Sequence, residues 1–359
     1  MIYLVQYFFI FLLIVFTSII RSKIKIKIDL LSFSKKTNHI DYILFASLIL
    51  SIFSVHLSTS GLLVDANRYV WNFLYRYPSY NEEMIFSSGT EGGFLILNQI
   101  IYYFTNNSDW LFFLVAIFVN FFSIYVLTKM NSNIVLVLLL YLGSSYFIYS
   151  TFLLRQIIAV TIINLAFLAY LQSKKAICGI LSFIAILFHT TAIIILPFYF
   201  LVAKTKSMKN YVYSIIFIIL IFLTVQGFFD NVIQSIDYLD RFIETESSFD
   251  GSILAPLKGI PFYILSLFSL LNRDKLLKRN SFADFYILSS IIYSICWLLT
   301  FEMYWAFRLG LYFLIPTLAL IPLSISIINN KKERLVMYAF LIIFIGTLTF
   351  RQLVNLFIQ

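Results

Sequence analysis

The sequence predicts an all-α fold: a polytopic helical bundle embedded in a membrane, with about 11–12 membrane segments and one short helical hairpin around His189. Three observations predict it. The 359 residues are 61% hydrophobic and only 12% charged, with a mean hydropathy of +0.92. A soluble chain of this length has no way to bury so much apolar surface. The apolar residues fall in long runs of roughly 20 residues, which matches the hydrocarbon thickness of a bilayer. The basic residues fall in short segments between those runs. Forty Phe and twenty-four Tyr suit a lipid-facing protein with aromatic side chains at both interfaces. The whole chain, 1–359, reads as a single transmembrane domain, and no linker divides it.

The net charge of +9 raises nucleic acid as a partner, but basic residues in short loops between spans are the positive-inside pattern of a membrane protein. No nucleic-acid partner is expected. Cys178 and Cys296 each lie inside an apolar run and read as small core residues rather than a disulfide. There is no CxxC, no metal-spaced His/Cys/Asp cluster and no glycine loop that cradles phosphate. No metal and no cofactor are expected.

The first run, 2–20, is too long and too aromatic for a signal-peptide core, and no small-residue cleavage site follows it. It reads as a retained span. The next segment holds six basic residues, Arg21, Lys23, Lys25, Lys27, Lys35 and Lys36. Such a loop stays inside, which puts the N-terminus outside. Run 40–57 then leads to an outer loop, 58–109, broken repeatedly by Gly, Ser, Pro and Asn. Loop and short surface helices are expected there. The apolar stretch 94–104 within it is too short to span and reads as interfacial or re-entrant. Run 110–128 goes in to Lys129, and run 134–150 goes out. The fifth run follows Arg155 and Gln156 and returns to Lys174 and Lys175.

Residues 176–203 pose a conflict. They are long enough for one tilted span, but one span would leave Lys204, Lys206 and Lys209 outside. Two half-length helices turning near His189 keep those lysines inside. Non-helical backbone at that depth must be buried in protein or line a wet cavity. The hairpin is therefore the expected arrangement, with His189 near its tip. Run 211–227 then goes out to an acidic outer loop, 228–255, with six acids against Arg241. Run 256–271 goes in to Arg273, Lys275, Lys278 and Arg279. Run 282–300 goes out to Glu302, 305–328 goes in to Lys331, Lys332 and Arg334, and 335–350 goes out. No internal repeat marks a transporter with inverted halves.

This threading puts Asp65, Arg68, Glu91, Arg155, His189, Glu302 and Arg308 at one face, the outer one. Ionisable residues at membrane depth are costly and mark function by default. Three arginines at one face suit a phosphate or diphosphate, because the guanidinium offers a planar fork of donors and stays charged when half-buried. A lipid-linked diphosphate would enter sideways from the bilayer. Each residue also has a plainer reading. Arg155 and Arg308 fit arginines snorkelling from span ends, and Arg308 also fits a partner for Glu302. His189 fits a core histidine bonded to a carbonyl. Asp65 and Arg68 fit a helix-surface pair. Glu91, before Gly92 and Gly93, fits an ordinary turn acid.

The order of the pieces resembles the EpsG/Wzy family of polysaccharide polymerases. The matching stretches are VDANRYVWNFLY, EGGFLILNQIIYYF, FIYSTFLLRQIIAVTI, KKAICGILSFIAILFHTTAIIILPFYF and WAFRLGLYFLIP, over about 63–316. The most specific are LRQIIA and FHTTAIIILP. One departure is EGGF, where many relatives look more like EPGF. The resemblance implies a metal-independent, inverting, membrane-embedded glycosyltransferase of the GT-C type. It would work at the outer face of the bacterial cytoplasmic (inner) membrane. It would move a growing glycan from undecaprenyl diphosphate to the next lipid-linked repeat unit of an O-antigen, capsule or exopolysaccharide. A flippase and a chain-length regulator are the implied partners.

On that reading Arg155 and Arg308 hold the diphosphate, with Arg68 a third contact. Charge builds on that leaving group, and preorganised donors stabilise it. His189 is the base, or orients the acceptor hydroxyl, and Asp65 is the rival base. Gln156 hydrogen-bonds sugar or phosphate, and Glu91 and Glu302 complete the polar set. Loops 58–109 and 228–255 would form the glycan-binding surface. The competing classes are a ligase using the same donor, a lipid-linked oligosaccharide flippase and a non-catalytic partner of an export complex. A flippase needs charges along the whole path, and here they gather at one face.

Overall fold

The structure, a computed structural model, describes residues 40–60, 64–79, 91–130, 134–198, 211–213, 215–216, 220, 256–300 and 306–339. The expected first span 2–20, the basic segment 21–39, the acidic loop 228–255 and Glu302 lie outside the described residues. Among the described residues every regular element is helical. Two units emerge, one of 1–193 with 329–359, the other of 194–328.

In the first unit the helices are α1 (Ile40–Ser58), α2 (Val64–Trp71), α3 (Gly92–Phe104), α4 (Asp109–Met130), α5 (Ile134–Gly143), α6 (Ser145–Tyr149), α7 (Leu154–Leu171) and α8 (Lys175–Phe188). Of these α1, α4 and α7 are long and apolar enough to cross a membrane. α1 lies along α4, α4 along α7 and α7 along α8, while the short α3 packs against α8. Lipid tails are as apolar as leucine, so helices in a bilayer associate through small residues and hydrogen bonds. α1 shows this. Ser47, Ser51, Ser54 and Ser58 recur at helical spacing and are all buried. Asn120 of α4 donates to Ser51 Oγ at 3.2 Å and accepts from the Tyr141 hydroxyl of α5 at 2.7 Å. A second chain links Ser123 of α4 to the Tyr146 hydroxyl at 3.1 Å and that to Thr161 of α7 at 2.9 Å.

Runs 40–57, 110–128, 282–300 and 305–328 become helices within a residue or two of their expected ends, and run 256–271 opens with a 3₁₀ turn before its helix starts at Ile260. Most of runs 211–227 and 335–350 lies outside the described residues. Run 134–150 is not a single span. It breaks at Ser144, whose backbone is extended (φ −93°, ψ 154°). Gly143, Ser144 and Ser145 are poor helix formers, and Ser144 Oγ bonds the Tyr141 carbonyl at 2.8 Å, competing with the helix ladder. The outer-loop helices also differ from expectation. α2 runs through a π-helical turn, Asn72–Arg76, into a 3₁₀ turn, Tyr77–Ser79. This segment does not merely lie on the surface: Ala66 and Phe73 are 0% exposed.

The second unit holds α9 (Ile260–Leu271), α10 (Arg273–Arg279), α11 (Ala283–Leu299) and α12 (Ala306–Ser326). α11 packs along α12, and α9 along α11. Of these α12 has the length and apolarity of a membrane span. Serines again join the helices: Ser266 meets Ser290 at 2.7 Å and Ser294 at 2.9 Å, and Ser269 meets Ser324 at 2.9 Å. The basic stretch 273–279 is a short helix rather than a loop. Arg273 clamps Asp284 with two bonds of 2.7 and 2.8 Å, and the Tyr211 hydroxyl donates to the same carboxylate at 2.6 Å.

Candidate functional site

Glu91 stands just before α3 in extended backbone (φ −62°, ψ 132°) and acts as its N-cap. Its carbonyl accepts from the amides of Phe94 and Leu95, both at 3.1 Å. A carboxylate at a helix start ordinarily caps the free amides of the first turn. This one makes no such bond. It turns instead to two side chains far away in sequence. Arg155 Nη1 donates to Glu91 Oε2 at 2.5 Å, and His189 Nδ1 lies 2.6 Å from Glu91 Oε1.

Arg155 sits in the first turn of α7. A cation there opposes the helix dipole, so the guanidinium needs an anion beside it. Glu91 supplies the anion. The Arg155 side chain is 30% exposed, against 11% for Glu91, and it also hydrogen-bonds Tyr69. Gln156, next in the chain, is buried at 4%. α8 ends at Phe188, and His189 follows in extended backbone (φ −159°, ψ 119°). Its amide still closes the last helical turn onto Ala185 at 3.0 Å. A 3₁₀ turn, Thr190–Ile194, leads on towards Pro197. Two β-branched threonines follow directly and disfavour continuing the helix. The expected break at His189 is therefore present. The return arm lies outside the described residues beyond 198 and falls in the other unit.

Burial alone would raise the pKa of the Glu91 carboxyl. The His189 hydrogen bond and the Arg155 and His189 charges outweigh that and hold it at about 2. An ionised carboxylate only accepts, so His189 Nδ1 is the donor and carries the hydrogen. Among the described residues no other group bonds the ring, which leaves Nε2 available. The His189 side chain is 20% exposed.

Tyr69 of α2 stands against the same group. Its ring meets Phe94 edge-on, with centroids 5.5 Å apart. Burial raises the pKa of its hydroxyl, while Arg155 beside it lowers it. Asp65, one turn earlier, shares that helix face and adds its charge to Tyr69's surroundings. Arg68, on the same helix, is exposed. Arg308 belongs to the second unit, where it is half-buried in the first turn of α12.

Three of the residues singled out in the sequence thus converge: Arg155, His189 and Glu91. The reading of Glu91 as an ordinary turn acid is corrected, since its carboxylate is the hub of the group. Tyr69 was missed; an uncharged tyrosine among twenty-four carries no signal in the sequence. Among the described residues no group of three or more His, Cys, Asp or Glu is placed to hold a metal ion.

These features define a multi-pass helical membrane protein with an Arg–Glu–His cluster seated at helix ends. Residues 41–357 match the EpsG family, and the chain belongs to it. Membership supports a glycosyltransferase-like, polysaccharide-polymerase-type role. No curated protein and no solved structure gives a significant match.

Proposed function

We propose that the chain is a polysaccharide polymerase of the bacterial cytoplasmic membrane. It transfers a growing glycan from undecaprenyl diphosphate to a hydroxyl of the next lipid-linked repeat unit, at the outer face. The observation that carries this reading is the single carboxylate of Glu91 gathering a half-exposed Arg155 and an accessible His189. A glycosyl transfer from a lipid diphosphate needs those two functions close together. His189 takes the proton of the acceptor hydroxyl as its oxygen attacks the anomeric carbon. The bond from that carbon to the phosphate oxygen breaks, and the diphosphate leaves with the electron pair. Arg155 then faces the developing charge. Arg308 and Arg68 are proposed as further diphosphate contacts, Asp65 as the alternative base, and Gln156 and Glu302 as polar contacts to substrate. The donor arrives activated, so the reaction as drawn requires neither nucleotide nor metal. GT-C architecture and an inverting outcome complete the proposal. A flippase supplies the donor, and a chain-length regulator sets where elongation stops.

The test is a surface-glycan ladder in the host. The gene is deleted and restored as wild type, Arg155→Ala or His189→Ala, with each variant's membrane level checked. The deletion is expected to leave single repeat units. Wild type restores the ladder, and each alanine variant elongates about 10²–10³-fold more slowly. Long but unattached chains in the deletion would make the protein a ligase. Repeat units trapped inside would make it a flippase. A normal ladder from both variants would remove the site.

A further inference from the structure

The polymerase reading leaves open what makes His189 a base, and which atom of it acts. We propose that Glu91 is a positioning residue that fixes the hydrogen on His189 Nδ1 and presents Nε2 to the acceptor hydroxyl, at a distance set by the bare backbone of Gly93. This rests on His189 being the base of the proposed reaction.

Two observations carry it. The first is the bond itself, Nδ1 to Glu91 Oε1 at 2.6 Å, with the other carboxylate oxygen taken by Arg155. Both oxygens are engaged, so the carboxylate has no freedom to rotate away. The second is the contact beneath the bond. Gly93 stands two residues after Glu91, and Leu187 two before His189. A Cβ on Gly93 would lie 2.8 Å from the Leu187 carbonyl oxygen and 3.0 Å from its carbon. Both are backbone atoms, which cannot swing aside. The start of α3 and the end of α8 meet there as closely as two backbones allow, and that approach brings Glu91 to His189. Gly92, its neighbour, has nothing within 4 Å of its own Cβ position. Of the two glycines, only the second is required by the contact. The carboxylate stays ionised far below neutral pH, which keeps it an acceptor for the ring.

The test uses the full chain in lipid nanodiscs with ¹⁵N-labelled histidine, in a His39→Gln, His56→Gln background so that His189 alone reports. The ring spectrum is expected to show hydrogen on Nδ1 and a bare Nε2. Glu91→Gln places an amide donor against Nδ1 and is expected to move the hydrogen to Nε2. Gly93→Ala is expected to lose the fixed tautomer, and Gly92→Ala to match wild type. In an elongation assay with lipid-linked repeat units, Glu91→Gln is expected to lower kcat about 10²–10⁴-fold with little change in KM. The double variant with His189→Ala is expected to be no slower than His189→Ala alone. A wild-type tautomer in Glu91→Gln would overturn the proposal. So would a double variant that loses the product of the two single effects, because Glu91 would then act independently of His189. If the spectra come out as expected but wild type elongates nothing, the Glu91–His189 pairing stands and the polymerase reaction falls.

Discussion

Glu91 is held ionised by its neighbours, which sets how the cluster meets acid. Its pKa in the folded chain is about 2, below the ordinary value of 4.5. A depressed carboxylate adds stability that is present above its unfolded pKa and is lost as pH falls through the folded one. The expected window is therefore about pH 4.5 down to pH 2. Across it the stability advantage of wild type over Glu91→Gln should shrink by on the order of 3 kcal/mol. Unfolding midpoints of both proteins in matched micelles, taken through that window, measure this. Parallel curves would mean that the ion pairs contribute nothing net. At this scale the sequence was legible where burial is costly. Arg155 and His189 stand out because apolar runs rarely carry such groups. Glu91 was picked out only as one acid at the outer face and not as the hub, since its partners lie 64 and 98 residues away and its local context is only a turn. The departure from EPGF has a simple account. Glu91 already holds the extended backbone that precedes a proline, and the Gly92 position is open, so the proline's role is met without it.

At the scale of the element, the helices were legible because bilayer thickness dictates the length of an apolar run. Breaks were legible only where they carried a topological consequence. The break at His189 was expected because the positive-inside rule assigns the lysines after it to the inner side. The break at Ser144 rests on a Gly-Ser-Ser triplet whose effect depends on a local hydrogen bond, and no loop charge exposes it. Hydrophobicity also hides what joins the helices. A serine every three or four residues along α1 barely changes its hydropathy, yet it lines the buried face. Asn120 is the clearest case, bridging α1 and α5 from α4. Asn120→Leu should remove both bonds of this bridge, to Ser51 and from Tyr141, at a cost of about 1–2 kcal/mol. A lowered melting temperature with the protein still inserted would register it. An unchanged one would mean that the bridge contributes nothing net to stability.

At the scale of the whole molecule, membrane class follows from composition alone, but orientation rests on lysines and arginines in short loops. On the proposed topology those charges put the loop before α4 outside and α10 inside. The chain offers a quiet background for testing this, because Cys178 is 6% and Cys296 0% exposed, and buried thiols react poorly. Asn107 and Lys278 are both exposed, one in each segment. Asn107→Cys is expected to take a membrane-impermeant maleimide in intact spheroplasts, and Lys278→Cys only after the membrane is opened. The reverse pattern would put the loop that carries Glu91 on the inner side. A polymerase that elongates exported repeat units has no use for a base and an arginine facing the cytoplasm. Labelling of Asn107→Cys from outside therefore bears on the chemistry as well as the topology: it places the Glu91 loop on the side where lipid-linked glycans are presented.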